Sequence, residues 1–181
     1  IPPSEHDLSF LEQDPFDPEA TRKYLGIREF TGGQTKRELL ESLYFKPTCN
    51  ICGLTSGFQG DGSKTVLPSE ASVKMDFRLV PGMDPKKIFQ LVRAHLDKHG
   101  FTDVELIWDS GEPAFRSNLE APFTKAVVSA LEKLYDRPVA LKVSSGGTSP
   151  MHTFCHKTNI PAGMFGASSA TANIHAPNEH L

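Results

Sequence analysis

The 181-residue sequence lacks the features that mark several classes of protein. None of its apolar runs approaches the roughly 18 residues that a membrane-spanning helix needs, so we expect no membrane partner. Positive charge is not in excess, because 19 Lys and Arg residues stand against 22 Asp and Glu residues, a formal net charge of −3. This balance argues against nucleic acid as a partner. Three cysteines at unremarkable spacing give no disulfide framework. A reducing compartment is therefore expected, and we predict a cytoplasmic protein.

The composition is that of a folded chain. A hydrophobic content of 38% and a charged content of 23% are enough to build a core, and the length suits one domain or two small ones. The first residues, Ile1-Pro2-Pro3, include neither an initiator Met nor a basic leader. We therefore expect a piece of a longer protein or a processed end.

The first two thirds of the chain have the pattern of an α+β layer. Residues 1–20, rich in Pro and acidic side chains, predict an extended lead-in. Helices are predicted over 18–26, 35–44 and 84–100, and strands over 48–55, 71–79 and 104–108. In the strand at 71–79 the apolar residues alternate with polar ones, so one face should be buried. This order predicts a small antiparallel sheet with helices on one face.

The remaining residues have an α/β pattern. A linker is predicted over 109–120, with a domain boundary near residue 116. It is followed by an amphipathic helix over 123–134 and short strands over 139–143 and 160–165. We therefore predict two parts, residues 1–116 and 117–181.

Two pairs of residues have spacings that invite a metal interpretation. Cys49 and Cys52 lie three apart in a predicted strand, where their side chains would point to opposite faces, so buried free thiols are favoured over a zinc pair. His152 and His156 have the i, i+4 spacing of helical zinc ligands. Thr153 stands where the catalytic Glu of that zinc motif would be, and a structural or surface pair is favoured.

Three other features could bind an anion or a metal. The loop around Gly146-Gly147 opens a short helix, and its backbone could approach a carboxylate or a phosphate closely. Arg78, on the polar face of its strand, is either a surface charge or a bidentate clamp for a carboxylate. His175 lies four residues before Glu179, in a loop after a predicted strand. By themselves these residues form no complete catalytic set.

Five motifs, in one order and at plausible spacing, resemble a single family. They are Asn50-Ile51-Cys52-Gly53-Leu54, Gly60-Asp61-Gly62-Ser63-Lys64-Thr65-Val66-Leu67-Pro68, Asp76-Phe77-Arg78-Leu79-Val80-Pro81-Gly82-Met83, Gly146-Gly147-Thr148-Ser149-Pro150 and His175-Ala176-Pro177-Asn178-Glu179. The family is the dinuclear-zinc exopeptidases and deacylases. It includes carnosinase-type dipeptidases, aminoacylase and succinyl-diaminopimelate desuccinylase. The carnosinase-like branch is the most similar, and the resemblance covers residues 24–181.

The resemblance implies a fold and roles for single residues. Residues 1–116 would be part of an α+β lid, or dimerisation, domain, and 117–181 the C-terminal part of an α/β zinc-exopeptidase catalytic domain. Arg78, Gly147 and Thr148 resemble residues that hold the free carboxylate of the substrate. Asn50 resembles a lid residue that approaches the active site of a partner subunit. His175 resembles a metal ligand.

The resemblance also implies chemistry that these residues do not complete. The other metal ligands and the catalytic glutamate of the family are not found in this sequence, so no catalytic residue is assigned. We expect the whole protein to use two divalent ions, Zn or alternatively Mn or Co, and this chain alone to bind none stably and to be inactive. The expected reaction is hydrolysis of dipeptides or small peptides by a homodimer joined through the lid. The alternatives are deacylation of N-acyl amino acids, a non-catalytic dimerisation module, and a phosphate-binding module.

Overall fold

Three α-helices precede the two strands that the structure describes, and two α-helices follow them. A computed structural model describes residues 3–166 and 172–180, and within them it has five α-helices and one antiparallel strand pair. The helices are α1 Glu5–Gln13, α2 Pro18–Leu25, α3 Lys36–Phe45, α4 Pro85–Lys98 and α5 Pro122–Tyr135; the strands are β1 Thr48–Ser56 and β2 Ala71–Arg78. Short turns of 3-10 and π helix occur at Thr31–Gly33 and His152–His156. The predicted combination of helices with an antiparallel sheet is confirmed.

Four of the five described α-helices, all but α5, begin after a residue whose side chain caps the helix. At α3, the Thr35 hydroxyl accepts from the Glu38 N–H, and the Glu38 carboxylate accepts from the Thr35 N–H at 2.8 Å. Asp84 caps α4 by accepting from the N–H groups of Lys86 and Lys87. The helices predicted over 18–26, 35–44, 84–100 and 123–134 are confirmed to within one or two residues at most ends.

The N-terminal segment differs from the prediction. Residues 5–13 are helical rather than extended, because Ser4 and Asp7 form a capping box that starts α1. Leu11, near the end of α1, is only 3% exposed, so the helix is packed against the rest of the unit. The prolines that suggested an extended lead-in lie outside α1 and do not interrupt it.

A small core forms where α1 meets α3. Leu40 of α3 is 1% exposed, and Asp14, which follows α1, is 2% exposed. The Tyr44 hydroxyl donates to Asp14 Oδ2 at 2.7 Å, and the Phe16 N–H donates to Asp14 Oδ1 at 2.9 Å. Burial, and then the hydrogen bond to Asp14, raise the pKa of Tyr44. Each oxygen of the buried Asp14 carboxylate therefore accepts a hydrogen bond, one from Tyr44 and one from Phe16.

The two strands form a sheet with one polar and one apolar face. Thr48 lies opposite Arg78 and Asn50 opposite Asp76, whereas Ile51 lies opposite Met75 on the other face. A register shift between Ile51 and Gly53 leaves Cys52 without a partner, as in a β-bulge. We expected the apolar face to be buried, and for the described part of the chain this prediction is wrong. Its side chains remain between 37% exposed, at Phe77, and 71% exposed, at Leu54.

The strand predicted at 104–108 is not formed. Arg93 of α4 donates to the carbonyls of Phe101 and Val104, so the backbone entering this segment bonds to a side chain. No neighbouring strand pairs with the segment within the described residues. A run of residues that favour a strand does not form one without such a partner.

The strands predicted at 139–143 and 160–165 are also wrong. The Val139 N–H donates to the Glu132 carboxylate, and the Ala162 carbonyl accepts from the Ser117 hydroxyl at 2.6 Å. These two backbone groups therefore form hydrogen bonds with side chains and not with a neighbouring strand. Ile160 and Phe165 are exposed, contrary to the expectation of a buried strand.

Contacts within the chain divide it into two compact units. The first comprises residues 1–116 and 140–152, and the second comprises 117–139 and 153–181. The assignment of 1–116 to a lid domain and of 117–181 to a catalytic domain stays a prediction. None of the helices in the described part combines the length and the apolar character needed to cross a bilayer.

Candidate functional site

Arg78 is held at the end of β2 by two acceptors. Its Nε donates to Asp76 Oδ1 at 3.1 Å, and its Nη1 donates to Thr148 Oγ1 at 2.6 Å. Thr148 follows Arg78 by 70 residues and belongs to the same compact unit. The side chain of Arg78 is still 48% exposed, so its guanidinium is both anchored and open to a ligand.

Asn50 lies on the same face of the sheet as this guanidinium. It is directly opposite Asp76, and its neighbour on that face, Thr48, is opposite Arg78. The Asn50 amide Nδ2 donates to Thr48 Oγ1 at 3.3 Å. Two strands thus bring four polar side chains together, and we call Thr48, Asn50, Asp76 and Arg78 the polar row.

The hydrogen bonds of Arg78 leave donors available for an anion. Only Nε and Nη1 are engaged, and the other guanidinium N–H groups find no acceptor within residues 3–166 and 172–180. Thr148 accepts from Arg78, and no residue in the described part of the chain accepts from its hydroxyl, which can therefore donate to a ligand. A guanidinium fork beside a hydroxyl donor matches the geometry of a carboxylate.

The glycine loop approaches α3 closely but offers less than the sequence suggested. A Cβ on Gly146 would lie 3.1 Å from Leu43 Cδ1, a tighter contact than side chains normally make. The Gly147 N–H donates to Ser145 Oγ at 3.2 Å and is therefore engaged within the loop. The helical turn after the loop, His152–His156, is too short to present a strong dipole. Arg78 and Thr148, and not the backbone of the loop, are therefore the candidate anion-binding groups of this region.

His175 belongs to the second compact unit. It has a left-handed backbone with φ of 63°, and its N–H donates to Glu179 Oε2 at 3.3 Å. Its side chain is exposed. Four of the five candidate residues, namely Asn50, Arg78, Gly147 and Thr148, lie in the first unit, and His175 lies in the other.

The described residues do not fit a two-metal centre. Across residues 3–166 and 172–180, no three His, Cys, Asp or Glu side chains are grouped so that they could hold a metal ion. Cys49 and Cys52 are free thiols and are exposed, which corrects the expectation that they are buried. Cys155 is the buried free thiol. His175 could supply one ligand, and a dinuclear site would need others.

Asp76 is the functional candidate that the sequence analysis missed. It is one of the polar positions on β2, and it lies two residues before Arg78 and therefore on the same face. An acidic residue at i−2 from an arginine in a strand is the signal that could have identified it.

A family model described as a peptidase dimerisation domain matches residues 16–104. This stretch is an M20-family peptidase dimerisation domain. It contains the whole polar row, together with α3, α4 and both strands. This match confirms the resemblance to the family, and it includes the first three of the five motifs.

Known relatives of this dimerisation domain include two curated enzymes and a solved structure. Succinyl-diaminopimelate desuccinylase of Bordetella petrii is 34% identical over 139 residues, which is 76% of this chain and 34% of the enzyme. Beta-Ala-His dipeptidase of Rattus norvegicus is 33% identical over 96 residues, which is 53% of this chain and 19% of that protein. The crystal structure of the M20 family metallo-carboxypeptidase Sso-CP2 from Sulfolobus solfataricus superposes with a TM-score of 0.88 at 35% identity. That match covers 98% of this chain and 40% of the other. The chain therefore spans about a third or less of the curated relatives.

Proposed function

We propose that this chain supplies the dimerisation domain and the carboxylate-binding site of a metal-dependent exopeptidase acting on dipeptides or small peptides. The observation that carries the proposal is the Arg78–Thr148 hydrogen bond, which places a guanidinium with free donors beside a free hydroxyl hydrogen. Its support from the comparisons is that the relatives include a dipeptidase and a metallo-carboxypeptidase.

A free terminal carboxylate is what an exopeptidase must recognise. A charge-assisted pair between a guanidinium and a carboxylate contributes about 1.5–3 kcal/mol, enough to favour a peptide end over an internal amide. Asn50, Arg78, Gly147 and Thr148 are the proposed substrate-binding residues. Asn50 is included because of its place in the polar row, and Gly147 because it directly precedes Thr148 in the glycine loop, although its own N–H is engaged with Ser145.

Deacylation of N-acyl amino acids is the second candidate. Such substrates also end in a free carboxylate, so the same site would serve. The match to a succinyl-diaminopimelate desuccinylase, over 76% of this chain, supports deacylation as a candidate. A third candidate, a non-catalytic dimerisation module, would need the fold but not the free donors on Arg78.

The metal chemistry is assigned to the whole enzyme and not to the described residues. We propose two divalent ions, Zn or alternatively Mn or Co, with His175 as one ligand. Because the described part of the chain offers no group of three ligands, the chemical step is not placed here. The chain by itself is expected to give no turnover of dipeptides with added Zn²⁺ or Mn²⁺, and turnover well above buffer would contradict this.

A homodimer is the proposed assembly. The apolar face of the sheet keeps side chains such as Ile51 and Leu54 exposed, and a second copy would cover them. The three free cysteines are consistent with a cytoplasmic location, which we propose as well.

The decisive experiment compares two ligands that differ only at the C-terminus. Glycylglycine and glycylglycinamide are titrated into the 181-residue chain and followed by two-dimensional NMR. The acid should bind at least tenfold more tightly than the amide, and Arg78→Met should abolish the difference. Equal binding of acid and amide by the wild-type chain would contradict the proposed site.

A further inference from the structure

We propose that Asp76 is a positioning residue that holds the Arg78 guanidinium in the orientation required to receive a substrate carboxylate. The inference rests on the proposed function of Arg78 and extends it to a residue that does not itself touch the substrate. It starts from the 3.1 Å contact between Arg78 Nε and Asp76 Oδ1.

The guanidinium is fixed at two separate points. Asp76 accepts from Nε, next to the aliphatic stem, and Thr148 accepts from Nη1, at the tip. A planar group that is bonded at both places cannot rotate freely about its last torsions. Without Asp76 only the tip would be tethered, and the plane could turn away from an incoming carboxylate.

The other residues of the polar row lie where they are consistent with this role of Asp76. Asp76 and Arg78 are two apart on β2, so both side chains rise from the same face. Asn50 stands directly across from Asp76 and is itself bonded to Thr48. The side chain of Asp76 is less exposed than that of Arg78, so the guanidinium remains the part open to ligands.

Asp76 has two opposing effects on carboxylate binding. Ordering a long side chain in advance strengthens a binding constant by about two- to tenfold. A negative charge beside the guanidinium repels an incoming carboxylate and weakens binding by a comparable factor. Because these effects offset each other, comparing the wild type with an alanine variant alone would not isolate positioning.

A pair of variants separates the two effects. Asp76→Asn removes the charge but keeps an oxygen that can accept from Arg78 Nε. Asp76→Ala removes both the charge and the acceptor. The difference between these two variants measures positioning alone, and the difference between wild type and Asp76→Asn measures the charge.

The experiment uses the 181-residue chain with glycylglycine and its amide as probes, followed by NMR of the Arg78 Nε–Hε group. Asp76→Asn should bind the acid about fivefold more tightly than Asp76→Ala. The Hε proton should be protected from exchange in wild type and Asp76→Asn, and unprotected in Asp76→Ala. Ser72→Ala, on the same face of β2 but farther from Arg78, is the control and should match the wild type.

Each alternative outcome has a distinct meaning. Equal affinities of Asp76→Asn and Asp76→Ala, in a chain whose wild type prefers the acid, would overturn the role of Asp76 and leave the proposed function intact. Unchanged protection of Hε in Asp76→Ala would do the same. A wild type that does not distinguish the acid from the amide would overturn the proposed function, and this inference with it.

Discussion

Arg78 Nη1 and Thr148 Oγ1 are joined by a 2.6 Å hydrogen bond across 70 residues of sequence. The bond ties the end of β2 to the glycine loop, and Val143, which is buried, anchors that loop segment in the same unit. Two candidate residues that stand apart in the sequence therefore lie in contact in the fold. The geometry of the guanidinium, and not its charge alone, should then govern binding.

Replacing Arg78 with Lys tests this importance of geometry. Lys keeps the positive charge but cannot donate to both Asp76 and Thr148 while presenting a fork to a ligand. Arg78→Lys should weaken glycylglycine binding about tenfold, or about 1.4 kcal/mol. Lys74→Gln removes a charge from the same face of β2 and should change the affinity less than about twofold. If Lys74→Gln were as damaging as Arg78→Lys, general charge and not the fork would explain the binding.

The hydrogen bond between Tyr44 and Asp14 should matter for stability. Both residues are buried, and Tyr44→Phe would leave Asp14 Oδ2 without its donor at 2.7 Å. The expected loss in the free energy of unfolding is about 2 kcal/mol. Urea denaturation monitored by circular dichroism measures it. Tyr24→Phe, at an exposed tyrosine, should change stability by less than about 0.5 kcal/mol, and equal losses in the two variants would be the contrary result.

Acid should weaken the chain in part through Asp7. Burial tends to raise the pKa of Asp7, but hydrogen bonds from the Ser4 N–H and hydroxyl and the nearby Arg116 guanidinium outweigh it, so this pKa is lowered. A lowered carboxyl pKa contributes stability that is present above the unfolded value of about 3.9 and is lost as pH falls through the folded value.

Asp7→Asn should therefore be less stable than wild type between pH 5 and pH 7, and the gap should close below about pH 4. Urea midpoints at a series of pH values give the result. Asp61→Asn, the same change in the exposed loop between the strands, should show no such gap. A gap for Asp7→Asn that persisted at pH 2 would argue against this account.

Local signals allowed most helices to be predicted. The capping residues Thr35 and Asp84 are short-range features, and the helices that they start are present. The same logic was available at Ser4 and Asp7, where α1 was missed because the nearby prolines suggested an extended chain. A capping box over four residues was the better guide than proline content.

The strands and the site depend on distant partners, which sequence patterns do not specify. The apolar segment at 104–108 remains irregular, because pairing needs a neighbouring strand and Arg93 binds the Val104 carbonyl instead. Arg78 and Thr148 could each be chosen as a candidate by residue type and motif. Their contact, and the part that Asp76 takes in it, required the register of β1 and β2 and the path of the glycine loop.

The exposed apolar face of the sheet should be the surface through which the chain associates. Ile51 is 68% exposed on this face, whereas Thr55 points from the opposite, polar face of the same strand. Ile51→Glu places a charge where a second copy would pack, and it should lower the association constant at least tenfold. Thr55→Glu adds the same charge to β1 and should leave association unchanged. Sedimentation velocity over a range of concentrations measures both, with circular dichroism to verify folding. A wild type that stays monomeric at high concentration, or an equal loss in both variants, would refute association through this face.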